Sequence, residues 1–364
     1  MKRIQEIWPE FVPDEELSAK YIFHDAWEAP MRLHGLVPND EQLYCRLPLG
    51  MGEQVSPGVE VRSWQLSGVC LRFRTDAPSL CIAAALSGMA MLHHMTVTAQ
   101  SGCELYQENE DGTYREILPV RPEIRPGAAG IYPFYQKRIP NLPGEGMRGY
   151  CLYLPSHNGL RKLLIGLPEG AQLAAPRKRT VDKPIVFYGS SITQGTGASK
   201  SSLNYPNILS RRLDAMIYNL GFSGNAKAEP IIAEYIKNLD MSVFVYDYDH
   251  NAPSPEFLMN THEKMFRTIR KARPDLPIVM ITRPDSDDDP QDALRRLAIV
   301  RRTYENALAA GDKKVWFVDG SRLFGDTDRD ACTVDNCHPN TLGYMRMADG
   351  IEPAIREALK SAGF

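Results

Sequence analysis

The chain has no run of about 18 uncharged apolar residues, the least that a membrane-spanning helix needs. Its apolar stretch Cys81 to Ala85 ends within a few residues, so no membrane partner is expected. A basic excess is missing too: 42 Lys and Arg stand against 45 Asp and Glu, a formal charge of −3. Proteins whose main partner is DNA or RNA carry surplus positive charge that displaces counterions from phosphate, so no nucleic acid is expected either. Paired cysteine spacing is absent. The seven cysteines, at 45, 70, 81, 103, 151, 332 and 337, are odd in number and scattered, which predicts reduced thiols. After Met1-Lys2-Arg3-Ile4-Gln5-Glu6 the chain is charged and proline-containing where a signal peptide would have its apolar core, so residence is read as cytoplasmic. There is no internal repeat and no low-complexity tract. With 43% hydrophobic and 24% charged residues, disorder, collagen and coiled coil are excluded for the whole chain.

What is present changes character near Pro176, and 364 residues favour two domains. Upstream, short stretches rich in β-branched and aromatic residues alternate with turn signals. Strands are predicted over Val69 to Phe73, Leu80 to Leu86, Met95 to Ala99, Tyr150 to Leu154 and Lys162 to Leu167, with a tight hairpin turn at Asp111-Gly112. This is an all-β domain over residues 1–176, a sandwich or jelly roll. Downstream, over 177–364, buried-strand runs alternate with helical patterns, as in a parallel sheet covered on both faces. The five strand candidates are Pro184 to Tyr188, Ala215 to Asn219, Val243 to Tyr246, Pro277 to Thr282 and Val315 to Asp319. Helices are predicted around Tyr205 to Leu213, Glu229 to Asn238, Glu256 to Arg273, Asp292 to Ala310 and Leu342 to Ser361. The short basic linker from Ala174 to Thr180 reads as solvated charge rather than a phosphate site.

In such a sheet ligands sit at the carboxyl ends of the strands, so the loops there are where chemistry is sought. The first strand runs into Gly189-Ser190-Ser191-Ile192, a small-residue turn that exposes a hydroxyl while main-chain N–H groups point the same way. Taken alone it is also an ordinary loop. It lacks the Gly-Lys-Ser/Thr ending and the G-x-G-x-x-G spacing of nucleotide sites. The second strand leads into Gly221-Phe222-Ser223-Gly224-Asn225, where Gly224 N–H could meet an oxyanion; glycines there serve bends more often than catalysis. Asp247-Tyr248-Asp249-His250-Asn251 follows the third strand. Its Asp and His could ligate a metal, but adjacent residues at a strand end point apart, and Asn251 offers an uncharged NH₂ to an oxyanion instead. Last comes Asp335-Asn336-Cys337-His338: an Asp three before a His can sit on its Nδ1 and fix the tautomer that lets Nε2 accept a serine proton. One such spacing is no more than chance or capping, but four blocks after strands of one sheet converge on a single edge.

Together these blocks resemble the GDSL/SGNH hydrolase family, from Lys183 to the end of the chain. Ser190 stands where the family name has Asp, and Asn251 follows a third block that departs from the common Gly-x-Asn-Asp. Gly102-Cys103-Glu104-Leu105-Tyr106 resembles the Gly-x-Asp-Leu-Tyr sequence of the β domain that precedes one subgroup, with Glu for Asp. The resemblance implies a flavodoxin-like three-layer α/β/α hydrolase domain with a five-stranded parallel sheet, behind a jelly-roll-like β sandwich. It implies Ser191 as nucleophile, His338 as base, Asp335 as its orienting acid, and Ser191 N–H, Gly224 N–H and the Asn251 side chain as oxyanion hole. No cofactor and no metal are implied. The expected substrate is a small-molecule ester, with acetylated sugar foremost. Alternatives are a thioesterase or lysophospholipase, or a carbohydrate-binding protein without turnover; a homo-oligomer is left open. Trp64, Tyr132, Phe134 and Tyr135 could stack on sugar, although a β core is the commoner use of such rings, and His93-His94 reads first as part of the β domain or its interface and second as a substrate contact.

Overall fold

Side chains on a strand alternate between faces, so strands with apolar residues at every second position must pair their sheet with another apolar layer. That rule builds the amino-terminal half. The computed structural model describes residues 19–88, 91–124, 133–285, 287 and 289–364; Met1 to Glu6 and Tyr132 lie outside the described residues. By packing, one unit takes the chain up to Arg46, Trp64–Lys178 and Lys200–Ser202, and the other takes Leu47–Ser63, Arg179–Ser199 and Leu203–Phe364.

The first unit holds strands β1 (Ile22–Asp25), β2 (Arg32–His34), β3 (Cys70–Thr75), β4 (Leu80–Leu86), β5 (Cys103–Glu108), β6 (Tyr114–Val120), β7 (Phe134–Ile139), β8 (Arg148–Tyr153), β9 (Leu160–Leu167) and β10 (Leu173–Ala174). They form two antiparallel sheets, in the orders β1-β9-β4-β7 and β10-β3-β8-β5-β6, with β2 beside β3. Leu71, Phe73, Leu105 and Leu152 of one sheet share a buried cluster with Ile82, Ala84, Leu163 and Ile165 of the other, which makes the unit a β sandwich. Cys81, Ala83 and Leu164 point the opposite way and are covered by Tyr21 and Phe23. With both faces buried, Leu80–Leu86 reads as one continuous apolar run rather than an alternating one.

The hairpin turn lies at Asp111-Gly112: Asp111 Oδ1 accepts from Thr113 N–H at 2.9 Å and Gly112 has φ 83°. Met95 to Ala99 is not a strand. Thr96 Oγ1 accepts from Ala99 N–H at 3.0 Å and caps a short helix, Val97–Ser101, so local capping overrides the β-branched pair Val97-Thr98. The linker's arginines are not solvated either. Arg177 lies 3.1 Å from the buried carboxylate of Glu108, and Arg179 is buried with its guanidinium on Ser210 Oγ and the Ala215 carbonyl; Lys178 alone of the three is exposed.

Glu104, the third residue of the Gly-x-Asp-Leu-Tyr-like motif, is fully buried. It accepts from the N–H groups of Ser201 and Ser202, both at 2.8 Å, while Tyr106 OH meets Ser202 Oγ at 3.1 Å. Burial pushes its pKa up, against the pull of those serine contacts and of Lys200.

The second unit carries β11 (Val181–Gly189), β12 (Ala215–Gly221), β13 (Val243–Asp247), β14 (Ile278–Ile281) and β15 (Val315–Val318), all parallel in the order β12-β11-β13-β14-β15. Its main helices are α1 (Ser191–Gln194), α2 (Tyr205–Arg212), α3 (Pro230–Lys237), α4 (Pro255–Ala272), α5 (Pro290–Ala309) and α6 (Thr341–Ser361). Ile185, Phe187, Val245 and Val279 of the sheet share a core with Tyr205 and Leu209 of α2 and Met347 and Ile351 of α6. This is the flavodoxin-like three-layer fold. The first strand lies between the second and third, so chain direction switches beside β11, and the crevice at its carboxyl end is the natural ligand site. No described helix is long and apolar enough to cross a membrane.

Glu104→Ala removes an acceptor from two buried N–H groups, each costing about 1–3 kcal/mol when left unpaired. The expected outcome is a thermal midpoint several degrees lower, read by calorimetry; an unchanged midpoint would show that water replaces the carboxylate.

Candidate active site

β11 ends at Gly189 and the chain turns at once into α1. Ser190 caps this helix, its Oγ accepting from Ile192 N–H at 3.1 Å, which is the task the residue in the Asp position of the family block performs here. Ser191 is the first helical residue and is 4% exposed. A single-turn helix has little stability of its own, and this one is held from outside. Asp247, at the end of β13, accepts from Thr193 Oγ1 and from Tyr205 OH, the latter at 2.7 Å. Asn219 Nδ2 donates to the Thr193 carbonyl at 2.8 Å, and Gln194 Oε1 accepts from Ser223 N–H at 2.9 Å, which ties the glycine block to the same turn.

Asp335 organises the closing block. Its Oδ1 accepts from His338 N–H at 2.7 Å and Cys337 N–H at 3.2 Å, and its Oδ2 lies 2.8 Å from His338 Nδ1. Burial opposes charge on this carboxylate, but the His338 main chain and imidazole and the Cys337 N–H together hold its pKa below the usual value. With Nδ1–H donating to Asp335, Nε2 presents a lone pair, and it stands 3.0 Å from Ser191 Oγ. The approach needs Gly197, whose φ is 90° and where a Cβ would stand 2.5 Å from the Pro339 carbonyl oxygen and 3.3 Å from His338 Cβ.

Gly224 has φ 70° in the turn after β12, where Asn225 N–H donates to the Phe222 carbonyl at 2.7 Å. Among the described residues, neither Ser191 N–H nor Gly224 N–H has a protein acceptor. Asn251 ends the short helical turn Asp249–Asn251, and its Oδ1 accepts from Ala226 N–H at 3.3 Å, which orients the amide and leaves its NH₂ directed away from that bond. Arg296 holds the turn by donating to the carbonyls of Asp249 and Ala252, and Asp249 Oδ2 accepts from Arg283 N–H at 3.0 Å.

Asp247 and Asp249 are taken by the chain's own hydrogen bonds, whereas His250 has Nε2 3.2 Å from Cys337 Sγ and a buried Nδ1 without a hydrogen-bond partner among the described residues. The fold also brings together His250, Asp285 and Cys337, whose ligand-type atoms lie within 4.8 Å of one another. Their chemistry suits hydrogen bonding better than a cation. Arg283 forks the Asp285 carboxylate at 2.6 and 3.0 Å, and burial pushes the Cys337 thiol up to about 12. Burial lowers His250 to about 4, and its Nε2 lies 3.2 Å from Cys337 Sγ. This links the Asn251 turn to the neighbour of His338. No sequence spacing signals it, because 87 residues separate the partners.

Of the aromatic candidates, Tyr135 is buried with its hydroxyl 3.1 Å from Cys103 Sγ, and Phe134 packs on the outer cluster under Arg161. The rings of His93 and His94 lie edge to face, 4.8 Å apart, in the β unit.

Burial raises Asp247 to about 7, against the hydrogen bonds from Thr193 and Tyr205 and with added repulsion from Asp249. The unfolded carboxyl titrates near 4, so between about pH 4 and 7 the folded state holds more protons and stability falls as pH rises. In Asp247→Asn that slope disappears. The thermal midpoint of the variant relative to wild type should therefore shift in the variant's favour from about pH 4.5 to about pH 8. A constant difference would mean that the carboxyl ionises normally.

Residues 182–356 match the GDSL-like lipase/acylhydrolase family, and residues 21–173 match the family described as the N-terminus of Esterase_SGNH_hydro-type. No curated protein matches the chain. Among solved structures, a protein from Bacteroides ovatus ATCC 8483 provisionally named a GDSL-like lipase is 28% identical with TM-score 0.82, covering 93% of this chain and 98% of its own. The salicylyl-acyltransferase SsfX3 of a tetracycline biosynthetic pathway is 21% identical with TM-score 0.74, over 94% and 98%. A family two carbohydrate esterase from Clostridium thermocellum, solved with cellohexaose, is 16% identical with TM-score 0.57, over 82% and 94%; these last two establish shared fold. The chain belongs to the GDSL/SGNH family of serine ester hydrolases, in the subgroup with a GxDLY-type β domain ahead of the hydrolase domain.

Proposed function

We propose that the chain hydrolyses small acyl esters, acetyl esters of carbohydrate foremost, through an acyl-enzyme on Ser191. The observation that carries this reading is the line from Asp335 Oδ2 to His338 Nδ1 at 2.8 Å and from His338 Nε2 to Ser191 Oγ at 3.0 Å. Ser191 Oγ attacks the ester carbonyl carbon while Nε2 takes its proton. The carbonyl oxygen becomes an oxyanion received by Ser191 N–H, Gly224 N–H and the Asn251 NH₂. Collapse expels the alcohol, which takes the proton from the imidazolium; water then repeats the sequence and frees the acid. Asp335, held in its ionised form, stabilises the imidazolium in both halves. These steps call for no cofactor.

The preference for acetylated sugar is supported by the two-unit architecture shared with carbohydrate esterases. An intact hydrogen-bonded Ser-His-Asp line argues against a purely binding protein. Cytoplasmic residence belongs to the same proposal, supported by seven free cysteines.

The test is acetate release from acetylated oligosaccharides, beside p-nitrophenyl acetate and long-chain esters, with Ser191→Ala as blank. Acetyl sugar should be preferred and Ser191→Ala should be inactive; equal rates in the two proteins would remove the serine mechanism, and a long-chain preference would replace the substrate class. Asn251→Ala should keep its fold and lower kcat by roughly 10²–10³, the usual loss for one oxyanion donor. Near-normal turnover would take Asn251 out of the site.

A further inference from the structure

We propose that Tyr344, seconded by Thr341, is the positioning residue that holds the His338 imidazole on Ser191; this rests on the Ser191–His338–Asp335 reading above. The problem these residues solve is mechanical. His338 and Asp335 sit in a partly exposed loop, with side chains 20% and 36% accessible, closed by a single bridge between Thr333 and Pro339. Val334, Asp335 and Asn336 at its tip are exposed, and Cys337 is tied to His250. The loop continues directly into α6, capped by Asn340 and starting at Thr341. Whatever anchors the first turn of α6 therefore helps to set where the imidazole stands.

Tyr344 lies in that first turn, its N–H bonded to the Asn340 carbonyl at 2.9 Å, and its side chain is fully buried. Its hydroxyl reaches 3.0 Å from the Ile192 carbonyl oxygen and 2.8 Å from that of Thr196. These two carbonyls bracket the end of the nucleophile's turn, where Gly195 and Thr196 N–H groups both return to the Ser191 carbonyl at 2.9 Å. Beside it, Ser199 Oγ and Thr341 Oγ1 meet at 2.7 Å. One hydroxyl proton shared between two acceptors grips the turn without committing to either. Burial also keeps this hydroxyl protonated, so the grip does not loosen with pH. No other side chain described above bonds the α1 turn directly from the helix that follows His338.

Since misplacement by about 1 Å can cost on the order of 10² in rate, loss of this grip should be visible in catalysis before it is visible in folding. Tyr344→Phe removes the proton and keeps the ring. On p-nitrophenyl acetate it should lower kcat by roughly 10- to 100-fold with KM changed by less than about twofold. Replacing Tyr344 by 4-aminophenylalanine, which keeps a donor at the same point, should restore most of the rate. In a His338→Ala background supplied with free imidazole, Tyr344→Phe should change the rate by less than about twofold, because the group it positions is gone. Thr341→Val should lower kcat several-fold, and it carries the test if Tyr344→Phe does not fold. Wild-type kcat in folded Tyr344→Phe or in Thr341→Val, or an equal loss with and without His338, overturns the proposal. Activity persisting in Ser191→Ala would instead overturn the mechanism on which it rests.

Discussion

Everything in the hydrolase unit converges on one hydrogen bond, from Ser191 Oγ to His338 Nε2 at 3.0 Å. It joins residues 147 positions apart, and neither stands on an element that is rigid by itself. Ser191 opens a helix of a single turn, and His338 lies in a loop. Precision is supplied from outside these segments. Side chains from the ends of β12 and β13 hold the serine turn, while Gly197 lets the histidine loop approach where any side chain would collide with main chain.

The electrostatic design separates a floor from a rim. Beneath the serine, burial works against charge: Asp247 is raised to about 7, Asp249 to about 6, and His250 is lowered to about 4. These groups act as hydrogen-bonding posts. Asp335 at the rim is treated in the opposite way, with main-chain N–H groups and the imidazole favouring its charged form. The carboxylate beside the imidazole is thus kept near water, and the carboxyls that shape the turn are kept dry.

Much of this was legible in the chain because its information is local. The five parallel strands are short apolar runs bounded by turn residues, and the first three blocks with catalytic potential begin where a strand ends. Asp335 and His338 are three residues apart, so their contact is within reach of a local loop, although the spacing alone does not require it. The Met95 to Ala99 segment departs from its strand-like pattern because the cap at Thr96 outweighs the β-branched pair after it. The arginines of the linker looked solvated because their acceptors, Glu108 and the Ala215 carbonyl, are distant in sequence. For the same reason nothing in the pattern marks Glu104 as the acceptor for Ser201 and Ser202, or His250 as the partner of Cys337. Packing of Leu47–Ser63 with the hydrolase unit, by a stretch enclosed in the β half of the sequence, is likewise beyond any local signal.

The most direct test of the central claim is acid-quenched mass spectrometry of the wild-type protein during turnover of p-nitrophenyl acetate. The account predicts a single acetyl adduct on the peptide that contains Ser191, formed and consumed at rates that match steady-state turnover. Turnover with no such adduct in single-turnover samples, or with the acetyl group on another residue, would contradict it.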